Sequence, residues 1–345
     1  MGGEGNTGGL ITYDVSGSAP NPIGRLVYTN EVGLAIRVSG NNAFVGLTDS
    51  LKVMDVASTS NPTEVASLAL PVNALALSGN TLFVGTSDGR LVVVDVSNPS
   101  APQQIGSVSI SGLPNRMSVA GTLLFLADGA QGLLIFDVSQ PKSPALLSQF
   151  SLSAPIWDVA ASGTTLLLAA DSLGLVLVDV SNPQVKQLSE TALPPFNPFP
   201  APSTGSSATL AVSVAVQGGL GYVGTATNDE DATADVAAFD FSQPTSPRLV
   251  VFRHQIGNEI SVITPSGNNL FLAANGMVVQ YDNSFPRNMI EWYPPLSVLA
   301  KSFPKNRQSI KPWHPKVKQN RRTSFWQSRH GRVVAPRCAV QSQCP

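Results

Sequence analysis

The sequence predicts an all-β fold, a six- or seven-bladed β-propeller of four-stranded blades. Three observations carry that reading. The stretch Leu91-Val92-Val93-Val94-Asp95-Val96-Ser97-Asn98-Pro99-Ser100-Ala101-Pro102 recurs along most of the chain. Its aspartate returns at Asp14, Asp55, Asp95, Asp137, Asp179, Asp240 and Asp282, at intervals of 41, 40, 42, 42, 61 and 42 residues. A second signal, Ser78-Gly79-Asn80, returns as Ser39-Gly40-Asn41 and Ser266-Gly267-Asn268. A period near 40 that holds four short strands is the signature of propeller blades.

Each strand has its own reason. Leu91–Val96 is a β-branched run, which favours a strand. It does not alternate apolar with polar, so both faces are expected to be buried. Ser97-Asn98-Pro99 ends it, because Asn bonds locally and Pro lacks a ladder N–H. In this unit strand a is expected at Asn73–Gly79, b at Thr81–Thr86, c at Arg90–Val96 and d at Gln103–Ile110. Ser78-Gly79-Asn80 turns a into b. The chain begins in mid-blade, with Leu10–Val15 as a c strand and Ile23–Tyr28 as a d strand. Strands from the N-terminus are therefore expected to close the ring. Blades 1 to 4 run Gly33–Leu70, Asn73–Ile110, Asn115–Leu152 and Ile156 to about Ala192. An insertion at 194–209 precedes blade 5, which resumes at Ala211. Blade 6 offers strands a, b and c from Glu259 to Asp282.

These segments, SGNTLFVG, GRLVVVDVSNPSAP and GLLIFDVSQPKSP, resemble the LVIVD-repeat family, propeller repeats common in bacterial and archaeal surface proteins. The resemblance covers roughly residues 9–282. It implies a propeller in a cell-surface or secreted setting. It brings no catalytic residues.

Composition divides the chain. Residues 1–284 hold 9 Lys/Arg and 21 Asp/Glu, and residues 285–345 hold 12 Lys/Arg and one acid, Glu291. The near-neutral total of −1 is thus the sum of an acidic part and a basic part. An acidic propeller argues against nucleic acid as its ligand. Both cysteines, Cys338 and Cys344, fall in the tail. No apolar run reaches the roughly 18 residues of a membrane span. Residues 1–8 read as a flexible start without the basic and apolar regions of a signal peptide. Residues 9–284 read as the propeller. Residues 285–345 show no repeat and read either as a basic extension or as an out-of-frame continuation.

Candidate sites are few. The repeated aspartates are spread round the ring, so they read as turn acceptors and not as ligands. Acids at alternate positions can surround Ca²⁺. Asp229, Asp231 and Asp235 are a weak set of that kind, with Ala234 where an EF-hand needs Gly. His254 is the propeller's one histidine, too few for an imidazole-ligated metal or a Ser-His-Asp set. Trp157 and Asp158 open an inner strand and are placed to line the central channel. Phe196 and Phe199 sit among five prolines of the insertion and offer apolar contact.

The expected function is a non-enzymatic, monomeric interaction module that binds protein or glycan. Its binding face is the one carrying the d-to-a connections and b–c loops. The alternative is a lactonase-like hydrolase with a divalent ion in the channel. Asn73, Asn115, Asp158 and Glu259 at inner-strand starts would then hold the metal. No other cofactor is expected.

Overall fold

The computed structural model describes residues 7–283, apart from 18, 183, 195–208, 228–233, 258 and 275–276, together with residues 326–327 and 333–334. The described residues of 7–283 form no helix. A two-stranded hairpin comes first, β1 (Thr7–Asp14) and β2 (Asn21–Thr29). Blade 1 is β3 (Gly33–Ser39), β4 (Asn42–Leu47), β5 (Leu51–Asp55) and β6 (Thr63–Leu68). Blade 2 is β7 (Val72–Ser78), β8 (Thr81–Thr86), β9 (Arg90–Asp95) and β10 (Gln103–Ser109). Blade 3 is β11 (Arg116–Ala120), β12 (Leu123–Ala127), β13 (Leu133–Asp137) and β14 (Ala145–Phe150). Blade 4 is β15 (Asp158–Ser162), β16 (Thr165–Ala169), β17 (Leu175–Asp179) and β18 (Lys186–Thr191). Blade 5 is β19 (Thr209–Gln217), β20 (Leu220–Thr227), β21 (Ala234–Asp240) and β22 (Arg248–Gly257). Blade 6 has β23 (Ile260–Ser266), β24 (Asn269–Ala274) and β25 (Met277–Asp282). Every blade is an antiparallel meander, and the inner strands β3, β7, β11, β15, β19 and β23 pack in series.

The uninterrupted apolar strands are explained by this packing. In β8, Leu82 and Val84 face blade 1, while Phe83 faces blade 3. In β9, Val92 and Val94 face one way, Leu91 and Val93 the other. Both faces of a blade are cores, so period-2 alternation has no polar side to express. At all six a–b turns a glycine takes positive φ, from 55° at Gly40 to 60° at Gly163. A two-residue hairpin of this kind needs glycine at its first central position.

The strands differ from expectation in one recurring detail. Register slips by one residue in β3, β7, β19 and β23, between Val72 and Ala74 in blade 2. The bulge places strand a one residue earlier than expected in blade 2, and β19 begins at Thr209 instead of Ala211. A second bulge recurs where the c and d strands pair, at Gln104/Gly106 in blade 2. Such bulges bend and twist a strand, here once at the inner end and once at the outer end of a blade.

The c–d turns behave as expected. The Oδ1 atoms of Asp14, Asp55, Asp95, Asp137, Asp179 and Asp240 each accept the amide N–H two residues on, at 2.8–3.0 Å. That bond holds Asp14, Asp95, Asp137 and Asp179 below the usual carboxylate range. Asp95→Ala and Asp179→Ala should each lower the urea midpoint slightly and leave any binding activity intact. With depressed folded-state pKa values, the turn contribution is present above the unfolded carboxylate range and fades as the pH falls through the folded values. A variant with an unchanged midpoint but lost binding would contradict this structural role.

The N-terminal hairpin packs on blade 1. Leu10, Leu26 and Tyr28 join Ala43, Val45, Leu47 and Met54. The Tyr28 hydroxyl donates to Glu64, and Lys52 Nζ lies 4.9 Å from the Tyr28 ring centroid. The hairpin therefore occupies a seventh sector, as its c and d character led one to expect. Pairing that would link it to the blade 6 side falls outside the described residues. On the inner strands bordering that sector, Ile36, Val38 and Val262 are exposed by 43%, 58% and 43%.

Candidate functional site

Three charged residues stand on the six inner strands: Arg37 on β3, Arg116 on β11 and Asp158 on β15. Strand pairing fixes their repeat positions. Arg37 pairs with Phe44, as Ala76 does with Phe83 and Ala215 with Tyr222. Arg116 pairs with Ala127, as Ala74 does with Gly85 and Ser213 with Gly224. The repeat thus puts small residues where these arginines stand. The small neighbours leave room for a long side chain to cross the channel.

Both arginines do cross. Arg37 Nη1 donates to Ile36 O at 2.8 Å, and its Nη2 reaches Met117 O of blade 3 at 3.3 Å. Arg116 Nη1 donates to Asn115 O at 2.9 Å, and its Nη2 reaches Ser261 O of blade 6 at 3.3 Å. Burial pulls the Arg37 guanidinium below its ordinary pKa; Asp158 opposes that shift and Arg116 adds to it. Asp158 and Arg116 are therefore both within electrostatic reach of Arg37. Asp158 is also a clamp between blades. Its Oδ1 accepts Val159 N–H at 2.8 Å and its Oδ2 accepts Val214 N–H of blade 5 at 3.0 Å.

Trp157 immediately precedes the inner strand β15. Its Nε1 donates to Asp171 Oδ2 at 2.7 Å, across to the b–c loop of its own blade. Asp171 adopts φ 49°, the left-handed conformation that Asp tolerates better than most residues. Gly129 sits beside Trp157 and Asn115: a Cβ there would lie 3.8 Å from the indole and 3.2 Å from Asn115 Nδ2. Isolated bridges Gly129–Ile156, Asp171–Ala211 and Ala226–Glu259 tie the b–c side of blades 3, 4 and 5 to the entry of the following blade. The d-to-a connections and b–c loops thus share one face, as the sequence implied. Thr209 and Thr227, which flank the insertion and the acidic loop, are paired.

The remaining sequence candidates separate. Phe196, Phe199, Asp229 and Asp231 lie outside the described residues. Asp235 was expected in the acidic loop but belongs to β21 and is fully buried, with its amide donating to Thr225 Oγ1 at 2.7 Å. Among the described residues no three His, Cys, Asp or Glu side chains form a metal-binding group. Of the four hydrolase candidates, Asp158 stands within electrostatic reach of Arg37, and Glu259 is bridged to Ala226 at the blade 6 entry. Sequence reasoning missed Arg37 and Arg116. The signal was there: the other blades put Ala76, Ser118, Ala160, Ala215 and Thr264 at the position of Arg37, and Ala35, Ala74, Ser213 and Val262, with Asp158 as the one acid, at the position of Arg116.

Comparison with known proteins matches this architecture blade by blade. The LVIVD repeat family matches residues 34–69, 72–110, 111–151 and 156–191. Blades 1 to 4 of this β-propeller carry LVIVD repeats. Each matched segment coincides with one four-stranded blade, from the inner strand outward. Among solved structures, a chain in the crystal structure of the mitotic checkpoint complex superposes with a TM-score of 0.62 at 13% identity, over 81% of this chain and 84% of that one. The computationally designed Ika8 protein superposes with a TM-score of 0.54 at 14% identity, over 79% and 83%. Both likenesses bear on the fold alone. No curated protein matches the chain.

Proposed function

We propose that this LVIVD-repeat propeller is a non-enzymatic interaction module of the cell surface or the secreted fraction. It takes protein or glycan on the face formed by the b–c loops and d-to-a connections. The observation that carries this reading is the asymmetry between the two faces. On one, the c–d turns repeat the same aspartate-to-amide bond in six sectors, so the surface is uniform. On the other, the half-buried Trp157 indole is fixed by Asp171 near Asn115, with no counterpart in the other blades. A rigid aromatic with a held polar edge is the kind of side chain that anchors proteins and stacks on sugars. Function in a propeller follows from such loops and not from the disc.

Trp157→Ala tests the reading. Glycan-array and surface-extract binding by the wild type should fall tenfold or more in the variant, with the urea midpoint little changed. Equal binding by a folded Trp157→Ala protein would remove this face from consideration. Recovery of the native protein from the surface or secreted fraction is expected, and recovery from the cytosol alone would contradict the proposed setting.

A further inference from the structure

We infer that the central channel binds a small oxyanion, a carboxylate, sulfate or phosphate group, between the guanidiniums of Arg37 and Arg116. The inference is independent of the loop face and rests on the channel alone. The two arginines come from blades 1 and 3 and reach across to blades 3 and 6, so their heads converge on the axis. Each guanidinium has five N–H donors in a planar fork. Among the described residues its hydrogen bonds use two nitrogens, both on carbonyl oxygens, and the cross-channel pair are long at 3.3 Å.

Charge points the same way. The inner strands bring two positive groups and one negative group to the axis of a propeller that is otherwise strongly acidic. Asp158 answers one of them and spends its oxygens on the amides of Val159 and Val214. Two like charges crowded in a partly desolvated channel cost free energy that an anion between them recovers. A planar or tetrahedral oxyanion fits a guanidinium fork through paired charge-assisted hydrogen bonds, which chloride cannot match in geometry. The competing structural role makes the arginines struts that pin inner strands by carbonyl bonds. A strut requires no anion and is indifferent to Asp158.

The test is isothermal titration of the full chain with sulfate, phosphate and galacturonate, at constant ionic strength set with chloride. One saturable site per chain is expected for at least one of the three. Tightest binding of galacturonate would assign a sugar acid, and tightest binding of sulfate or phosphate the free inorganic ion. Arg37→Gln with Arg116→Gln should weaken binding tenfold or more. Asp158→Asn should tighten it severalfold, since it removes the one competing carboxylate while keeping an acceptor oxygen. Should the double variant fail to fold, the wild type and Asp158→Asn decide. Absence of saturable binding by the wild type, undiminished binding by the double variant, or Asp158→Asn binding no tighter than wild type would each overturn the inference.

Discussion

Phe83→Ala should destabilise the propeller by roughly 3–5 kcal/mol, the cost of removing a buried phenylalanine and leaving a cavity. Phe83 is 2% exposed and packs among Ala74, Leu91, Met117, Leu124 and Phe136, joining blade 2 to blade 3. The position recurs as Phe44, Phe125, Leu167 and Tyr222, so the chain repeats one large wedge in each interblade core. Ala74 and Ala76 are too small to fill the space, and their strand is fixed by its pairing with Phe83's own strand. Urea unfolding followed by circular dichroism would measure the loss. Leu146→Ala is the control: Leu146 is 54% exposed on an outer strand and should cost within about 0.5 kcal/mol. Similar losses at the two sites would mean that the interblade wedge does not hold the disc together.

The second large effect is at Asp128. Its carboxylate is 3% exposed, and neither oxygen has a hydrogen-bond partner among the described residues. Gly112 lies so close that a Cβ there would come within 2.5 Å of the carboxyl group. Burial pushes the Asp128 pKa up to about 6; the Leu113 amide, outside hydrogen-bond geometry, offsets only part of that. The folded value is thus above the unfolded one, near 3.8. The protonated form is favoured in the fold. Its contribution is complete below the unfolded pKa and is lost as the pH rises through about 6. Asp128→Asn should therefore stabilise the protein at pH 8 by on the order of 2 kcal/mol, with little effect at pH 4. A wild-type stability that is flat between pH 4 and 8, or an Asn variant less stable at pH 8, would contradict this.

How much of this was legible in the residues alone follows from what repeats. Four strands per unit, glycine at the a–b turn and aspartate at the c–d turn are local devices, and the chain writes them six or seven times. The bulges were not legible, because a one-residue slip leaves composition unchanged and shifts only which partner a residue faces. Asp128 precedes Gly129, a dipeptide that locally signals only a hairpin, whereas its burial beside Gly112 comes from a connection 16 residues earlier in the chain. The channel arginines were visible as departures from the repeat. Their convergence needed the ring, which brings residues 37, 116 and 158 to one axis.

The serial packing of the inner strands has a consequence for how the disc comes apart. In an array of like units, stability is a sum of unit terms and nearest-neighbour couplings. Blades 2 to 4 have a four-stranded neighbour on each side, whereas Ile36 and Val38 on blade 1 and Val262 on blade 6 present apolar surface to the seventh sector. Among the described residues that sector holds only the two-stranded hairpin, so the couplings on its two sides are the weakest in the series. Opening should start there and travel inward one blade at a time, so that amides in β8 and β12 exchange last and those in β2 and β25 first. Such a protein melts as a zipper does, although its strands are laid out as a wheel.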